Sequence, residues 1–311
     1  MLARIPGRLL QMIPTFILIG VVVFVLIRLL PGNPAAALLG VHATPEALAR
    51  IDAQLGFNQP IWVQFLLFLG RLLHGDLGIS VSERIPVTEV IAQRLPVTLA
   101  LVVMAASMAL ILALPLAFIA ALRQNRATDI VLRGIFQVGL STPIFYIGLL
   151  MLGLLGARLH WFPVGGIGNG IWSGLYHLFL PALTLGVGLA AILMRSLRST
   201  VIGVLRAEYV EFARAKGLSP WRVITGHVLR NSLITTLALF GLNIGTLLGN
   251  TVIVENVFAV PGIGGLLVEA IFGRDYPVVQ GVTLVLAVMV SVVFLLTDIA
   301  ESWLDPRLGG R

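Results

Sequence analysis

The chain has 311 residues, of which 58% are hydrophobic and only 11% charged, with a mean hydropathy of +1.00. A soluble domain carries roughly 25% charged residues, so the composition excludes an ordinary water-soluble globule and sets most of the surface against lipid. The formal net charge of +7 could suit nucleic acid, but the basic residues fall in loops between apolar runs, which excludes that partner. The absence of Cys excludes disulfides and thiolate metal sites.

A helix needs about 20 apolar residues to cross the hydrocarbon core. Six segments meet that requirement: 9–30, 97–122, 134–157, 179–200, 232–254 and 278–300. Arg4 and Arg8, the apolar run and Ala35-Ala36-Ala37 outline a secretory signal. The run from Leu9 to Ile27 is 19 residues long, beyond the roughly 7–15 residues of a signal core, and it reads as a retained span. Pro14, Pro115, Pro143 and Pro181 interrupt or flank the spans, which membrane helices tolerate when neighbours satisfy the freed carbonyls.

The expectation is an all-α membrane protein with six transmembrane helices. The divisions are a tail and first span over 1–30, an extracytoplasmic segment over 31–95, a five-helix core over 96–303 and a tail over 304–311. Fourteen of the 21 basic residues lie in the two terminal segments and in the loops after the second and fourth spans, against six on the other side. By the positive-inside rule both termini are cytoplasmic.

Loop 201–231 lies on the same cytoplasmic side. Its stretch Glu208 to Arg222 reads as a short helix, a break and a second helix. Glu208 and Glu211 complement the positive end of the first helix dipole. Gly217 is free to take positive φ after that helix, and Ser219 with Pro220 can start the next. Tyr209, Phe212, Ala213 and Lys216 share one side. Such an elbow could rest on lipid or dock in a groove of another protein.

Polar residues inside spans mark pathways or interhelical hydrogen bonds. Asn243, Thr246, Asn250 and Thr251 on the fifth span and Ser141 and Thr142 on the third are candidates to line a translocation path. Gly241, Gly245 and Gly249 form a neighbouring stripe suited to close packing. The segment 255–277 reads as a hairpin. Val257 and Phe258 enter it, Pro261-Gly262 turns, and a short amphipathic helix with Leu266, Leu267, Ile271 and Phe272 follows; Arg274 and Asp275 could pair locally. Val257, Phe258 and Pro261 are expected to help form an outer gate.

The sequence Glu211-x-Ala213-x-x-x-Gly217, followed by Leu229, resembles the EAA loop of ABC-importer permeases. His227 and Arg230 depart from the common pattern in a way typical of the peptide-permease branch. Eight further strings, in order, resemble the dipeptide/oligopeptide/nickel permeases. They are Leu30-Pro31-Gly32-Asn33-Pro34-Ala35, Leu55-Gly56-Phe57-Asn58-Gln59-Pro60, Gly75-Asp76-Leu77-Gly78, Arg94 to Leu99, Leu180 to Gly186, Val257 to Gly264, Arg274 to Gly281 and Leu304-Asp305-Pro306-Arg307. The long loop after the first span resembles the B-type half of the pore.

The resemblance implies that Glu208, Tyr209, Glu211, Phe212, Ala213, Arg214, Lys216 and Gly217 form the coupling helix, seated in a cleft of an ATPase subunit. It implies as partners a second homologous permease, one or two cytosolic ATPase subunits, an extracytoplasmic substrate-binding protein and membrane lipid, in a bacterial or archaeal inner membrane. The implied cargo is di- or oligopeptides, with glutathione, opines or chelated nickel as alternatives. A P-loop needs a lysine after its glycine, whereas the only lysine, Lys216, precedes one. ATP and Mg are therefore left to the partner ATPase, and no cofactor is expected on this chain. The dispersed His42, His74, His160, His177 and His227 offer no metal-ligand spacing. A stand-alone secondary carrier would instead need an intramembrane ionisable group or inverted repeats, and neither is found.

Overall fold

The computed structural model describes residues 5–29, 44–46 and 58–304. Among these the chain is helical, with no strand beyond an isolated bridge between Ile79 and Pro86. In chain order the helices are α1 (Ile5–Leu29), α2 (Ile61–Leu73), α3 (Val87–Leu122), α4 (Ala127–Ser141) and α5 (Ile144–Met151, with a π-helical continuation Leu152–Arg158). They continue with α6 (Ile171–Leu205), α7 (Glu208–Ala215), α8 (Pro220–Val223, continuing in π geometry over Ile224–Leu229), α9 (Arg230–Val257), α10 (Ile263–Phe272) and α11 (Tyr276–Leu304). Most of segment 31–95 up to residue 57, including the strings at 30–35 and 55–57, and the tail 305–311 lie outside the described residues.

Among the described residues four stretches are long and apolar enough to cross a membrane: Val87–Leu122, Ile171–Leu205, Thr236–Val257 and Tyr276–Ala300. A fifth results if α4 and α5 count as one. That pair covers the third span expected over 134–157, with Pro143 interrupting it, and it bends by 108°. Pro143 offers no amide hydrogen and forces the preceding residue towards extended geometry; Thr142 has φ −92° and ψ 130°. Both the amide and the hydroxyl of Thr142 donate to the Val138 carbonyl, at 3.0 and 2.7 Å, and so close α4 before the bend. The first expected span, 9–30, is helical over Ile5–Leu29, with an apolar stretch Ile13–Val25.

Two boundaries move. α3 starts at Val87, ten residues before the apolar window, and α6 starts at Ile171, eight before its window. Val87, Val90 and Ile91 are buried while Glu89 and Gln93 are exposed. This amphipathic entry is helical through its packing, and a hydropathy window does not register it.

The chain divides into two units, one holding Leu99–Val260 and Val292–Arg311, the other Leu2–Thr98 and Pro261–Ser291. In the first, α6 is the most enclosed helix, burying Leu180, Leu185, Leu193, Met194 and Leu197. α6 approaches α3 closely at Gly186, where an added Cβ would lie 3.0 Å from the Ala105 carbonyl oxygen. The glycine stripe of α9 is packed at one end only. An added Cβ at Gly241 would collide with Thr297, whereas at Gly249 it would meet nothing within 4 Å.

In the second unit Val87, Val90, Ile91, Ile263, Leu266, Ala270, Val278 and Val282 form one core. Of the apolar residues named on the hairpin helix, Leu266 and Leu267 pack into this core, while Ile271 and Phe272 stay exposed. The Thr98 hydroxyl accepts from the Ile263 amide at 2.9 Å and so serves the start of α10. Arg274 and Asp275 do not pair with each other. Arg274 takes the left-handed conformation, φ 55°, as α10 ends, which turns Asp275 inward. The buried Asp275 carboxylate accepts from the Ser80 hydroxyl at 2.6 Å and the Ser82 amide at 2.9 Å. It fixes the turn 80–86 against the α10–α11 corner.

Asp275→Ala strands the buried Ser80 hydroxyl and the Ser82 amide, at a cost of about 1–3 kcal/mol. The expected outcome is a lower thermal midpoint in detergent and faster proteolysis near Arg84, with Asp275→Asn the milder of the two.

Candidate coupling elbow and pore cavity

The elbow forms where the sequence predicts it. α7 begins after Ala207, which has no side chain to cap it. Glu208 and Glu211 in its first turn offset the exposed amides through the helix dipole. At its end the Gly217 amide donates to the Arg214 carbonyl at 2.9 Å and the Leu218 amide to the Ala213 carbonyl at 3.3 Å. This is the Schellman closure, which needs a left-handed residue, and Gly217 supplies it with φ 80°. Ser219 and Pro220 then start α8. The Ser219 side chain makes no capping hydrogen bond, so the start rests on Pro220 and on the Val223 amide donating to the Ser219 carbonyl at 3.1 Å.

Two faces separate on this elbow. Val210, Ala213, Val223 and Val228 are buried. Glu208, Tyr209, Glu211, Phe212, Arg214, Lys216 and Gly217 are exposed, with Phe212 62% and Trp221 72% accessible. The shared side expected for Tyr209, Phe212, Ala213 and Lys216 therefore divides, and Ala213 turns inward. The Lys216 ammonium lies 4.7 Å from the centre of the Phe212 ring, and the Asn231 amide donates to the Tyr209 hydroxyl at 3.1 Å. Trp221 belongs to this outer face and lies outside the predicted set; an aromatic directly after the Ser-Pro start of α8 is the signal that could have found it. Exposed aromatics beside charged groups on a rigid corner are the chemistry of a docking surface.

α8, its π-helical continuation and α9 follow one another without a break from Pro220 to Val257. Further along α9, Asn243, Thr246 and Asn250 reach a cavity of about 260 Å³, together with Thr142, Gly139 and Gly188. Its other walls are aliphatic, including Ile144, Ile147, Leu185 and Ile192. Four of the six predicted path residues are thus brought together. Two are not: the Thr251 hydroxyl is buried and donates to the Leu248 carbonyl at 2.7 Å, and exposed Ser141 accepts from Gln137 at 3.4 Å. The side chains lining the cavity carry no charge.

Of the expected gate residues, Phe258 is buried and packs on Gly148, where an added Cβ would come within 3.2 Å of its ring. The Phe258 carbonyl accepts from the Gly166 amide at 3.2 Å. Val257 also faces Gly148. Pro261 falls in the second unit.

Among the described residues the protein is helical, with apolar spans and an exposed elbow that runs on into a cavity-lining helix, which is the build of a permease subunit. The chain belongs to the family of binding-protein-dependent transport system inner membrane components, whose model matches residues 113–310, preceded by the N-terminal model of the same systems over residues 1–102. It is 37% identical to the dipeptide transport system permease protein DppB of Alkalihalophilus pseudofirmus, with 99% of each chain covered. It is likewise 37% identical to the glutathione transport system permease protein GsiC of Salmonella choleraesuis, and 36% identical to DppB of Escherichia coli, again over 99% of each. Among solved structures it resembles a chain of the inward-facing MetNI methionine ABC transporter, with a TM-score of 0.61 and 16% identity over 70% of this chain and 97% of that one. That likeness bears on the fold.

Gly217→Ala puts a Cβ into the left-handed region at a cost of roughly 1–2 kcal/mol. The expected outcome is faster tryptic cleavage after Lys216 with the helix content unchanged by circular dichroism.

Proposed function

We propose that the chain is one half of the membrane pore of an ATP-driven importer for di- or oligopeptides, of the B type, and hydrolyses no ATP itself. ATP and Mg belong to one or two cytosolic ATPase subunits. A second homologous permease completes the pore, and an extracytoplasmic binding protein delivers the cargo. The full-length identity to dipeptide permeases supports this reading. Glutathione is the second reading, supported by the equal identity to glutathione permeases, and it is itself a small peptide. The membrane is the bacterial or archaeal inner membrane. The topology is six spans with both termini cytoplasmic, α1 providing the first and the bent α4–α5 pair the third.

The single observation that carries the mechanism is the unbroken helical path from Pro220 to Val257. α7 seats its outer face, with Tyr209, Phe212 and Trp221, in a cleft of the ATPase. The Gly217 closure makes α7 and α8 one rigid corner, so closure of the ATPase moves the cytoplasmic end of α9. Asn243, Thr246 and Asn250 on α9 then shift against Thr142, which opens or closes the path for cargo. Val257, Phe258 and Pro261 contribute to the outer gate. The uncharged cavity suits a passage that handles neutral peptide groups and leaves charge recognition to the binding protein.

In the reconstituted complex, Glu211→Arg or Gly217→Pro is expected to leave ATP hydrolysis but lower uptake about tenfold or more, since Pro alone costs about 3 kcal/mol where its geometry does not fit. Normal uptake by either variant contradicts the coupling role. Substrate flux through the purified chain alone in liposomes, without ATP or partners, favours a stand-alone carrier. Asn250→Leu is expected to lower uptake severalfold without changing assembly, because it fills the cavity and removes an amide.

A further inference from the structure

Asp129, in the first turn of α4, is fully buried. Both of its oxygens accept from the Arg198 guanidinium of α6, Nε to Oδ1 and Nη2 to Oδ2, each at 2.6 Å. The Asn125 amide donates to Oδ2 at 2.9 Å, and Asn125 itself holds the left-handed conformation, φ 61°, that turns the chain between α3 and α4. Arg133 adds a contact at 3.5 Å. On either side, Arg206 donates to Gln124 at 3.1 Å and Arg195 donates to Gln137. Two arginines of α6 and Arg206 at its end thus hold three acceptors, one on the α3–α4 turn and two on α4, and the central pair is bidentate with its carboxylate buried. Arg206 is the residue at which α6 ends, and α7 starts two residues later.

We propose that Asp129 is a positioning residue of coupling. Through Arg198 it clasps the α3–α4 corner to α6, so that displacement of the elbow carries α4, and with it the Thr142–Pro143 bend beside the cavity. The elbow has two exits. One runs forward along α8 and α9, and the other runs back along α6, which grips α4 through this clasp and packs on it again further along, where Gly139 faces Val187. A lone carboxylate among Arg123, Arg126, Arg133, Arg195, Arg198 and Arg206 holds a geometry that solvated arginines would not. The inference rests on the coupling role proposed above.

The test uses the complete transporter in liposomes, measuring ATP hydrolysis, uptake of a dipeptide and the thermal midpoint of the assembled complex. Asp129→Asn and, more mildly, Arg198→Lys are expected to keep hydrolysis within about twofold and to lower uptake per ATP by about tenfold, a fraction of the cost of breaking a buried pair. The exchange Asp129→Arg with Arg198→Asp is expected to restore at least half of the lost ratio. An unchanged ratio in both single variants, or uptake and hydrolysis falling in proportion with the thermal midpoint, overturns the proposal. Gly217→Pro, run beside them, separates the two claims. If it uncouples and the Asp129 and Arg198 variants do not, the clasp alone fails; if it too leaves the ratio unchanged, the coupling role fails.

Discussion

Backbone continuity from the elbow into α9 is the constraint on which the rest depends. A helix transmits displacement along its axis because each turn is hydrogen-bonded to the next, and α8 flows into α9 with no residue leaving helical geometry. The passage is made in π rather than α geometry over Ile224–Leu229. One glycine makes the arrangement possible at its outer end. With Gly217 left-handed, the last carbonyls of α7 are satisfied within the corner, so α7 stands out as a firm projection instead of fraying into solvent. Val210 and Ala213 of α7, Val223 of α8 and Val228 beyond it are buried, and this leaves the aromatics outside.

The second constraint is the need to keep polar groups partnered in an apolar setting. Thr142 returns both its amide and its hydroxyl to Val138, Thr251 bonds Leu248, and Asn243 donates to the Leu239 carbonyl at 2.7 Å. Several polar residues in the spans thus serve their own helix. A list of intramembrane polar residues therefore overstates the path, and an own-helix bond does not by itself decide it, since Thr142 and Asn243 reach the cavity and Thr251 does not.

The elbow was legible because its determinants are local. The acids Glu208 and Glu211, the glycine at Gly217 and the Ser219-Pro220 start are read within one short stretch, and the family strings added the partner class. The helical class and the family were legible for similar reasons. The bend at Pro143 was visible as a proline but not as a 108° turn, since proline in a membrane helix also gives modest kinks. The early start of α3 and the inward turn of Asp275 were not legible, because both depend on packing between residues far apart in sequence. The Asp129–Arg198 pair spans 69 positions, and its only sequence signal was one acid in a strongly basic loop.

The central claim is that the outer face of α7 engages an ATPase and that this engagement moves the pore. The native chain has no cysteine, so a single Phe212→Cys substitution gives an unambiguous cross-linking site. In the assembled transporter, the account predicts a disulfide between this position and a cysteine placed in the ATPase cleft, with uptake lost on oxidation and regained on reduction. Reaction of that position with lipid-phase reagents, and no cross-link to the ATPase in any nucleotide state, would contradict it.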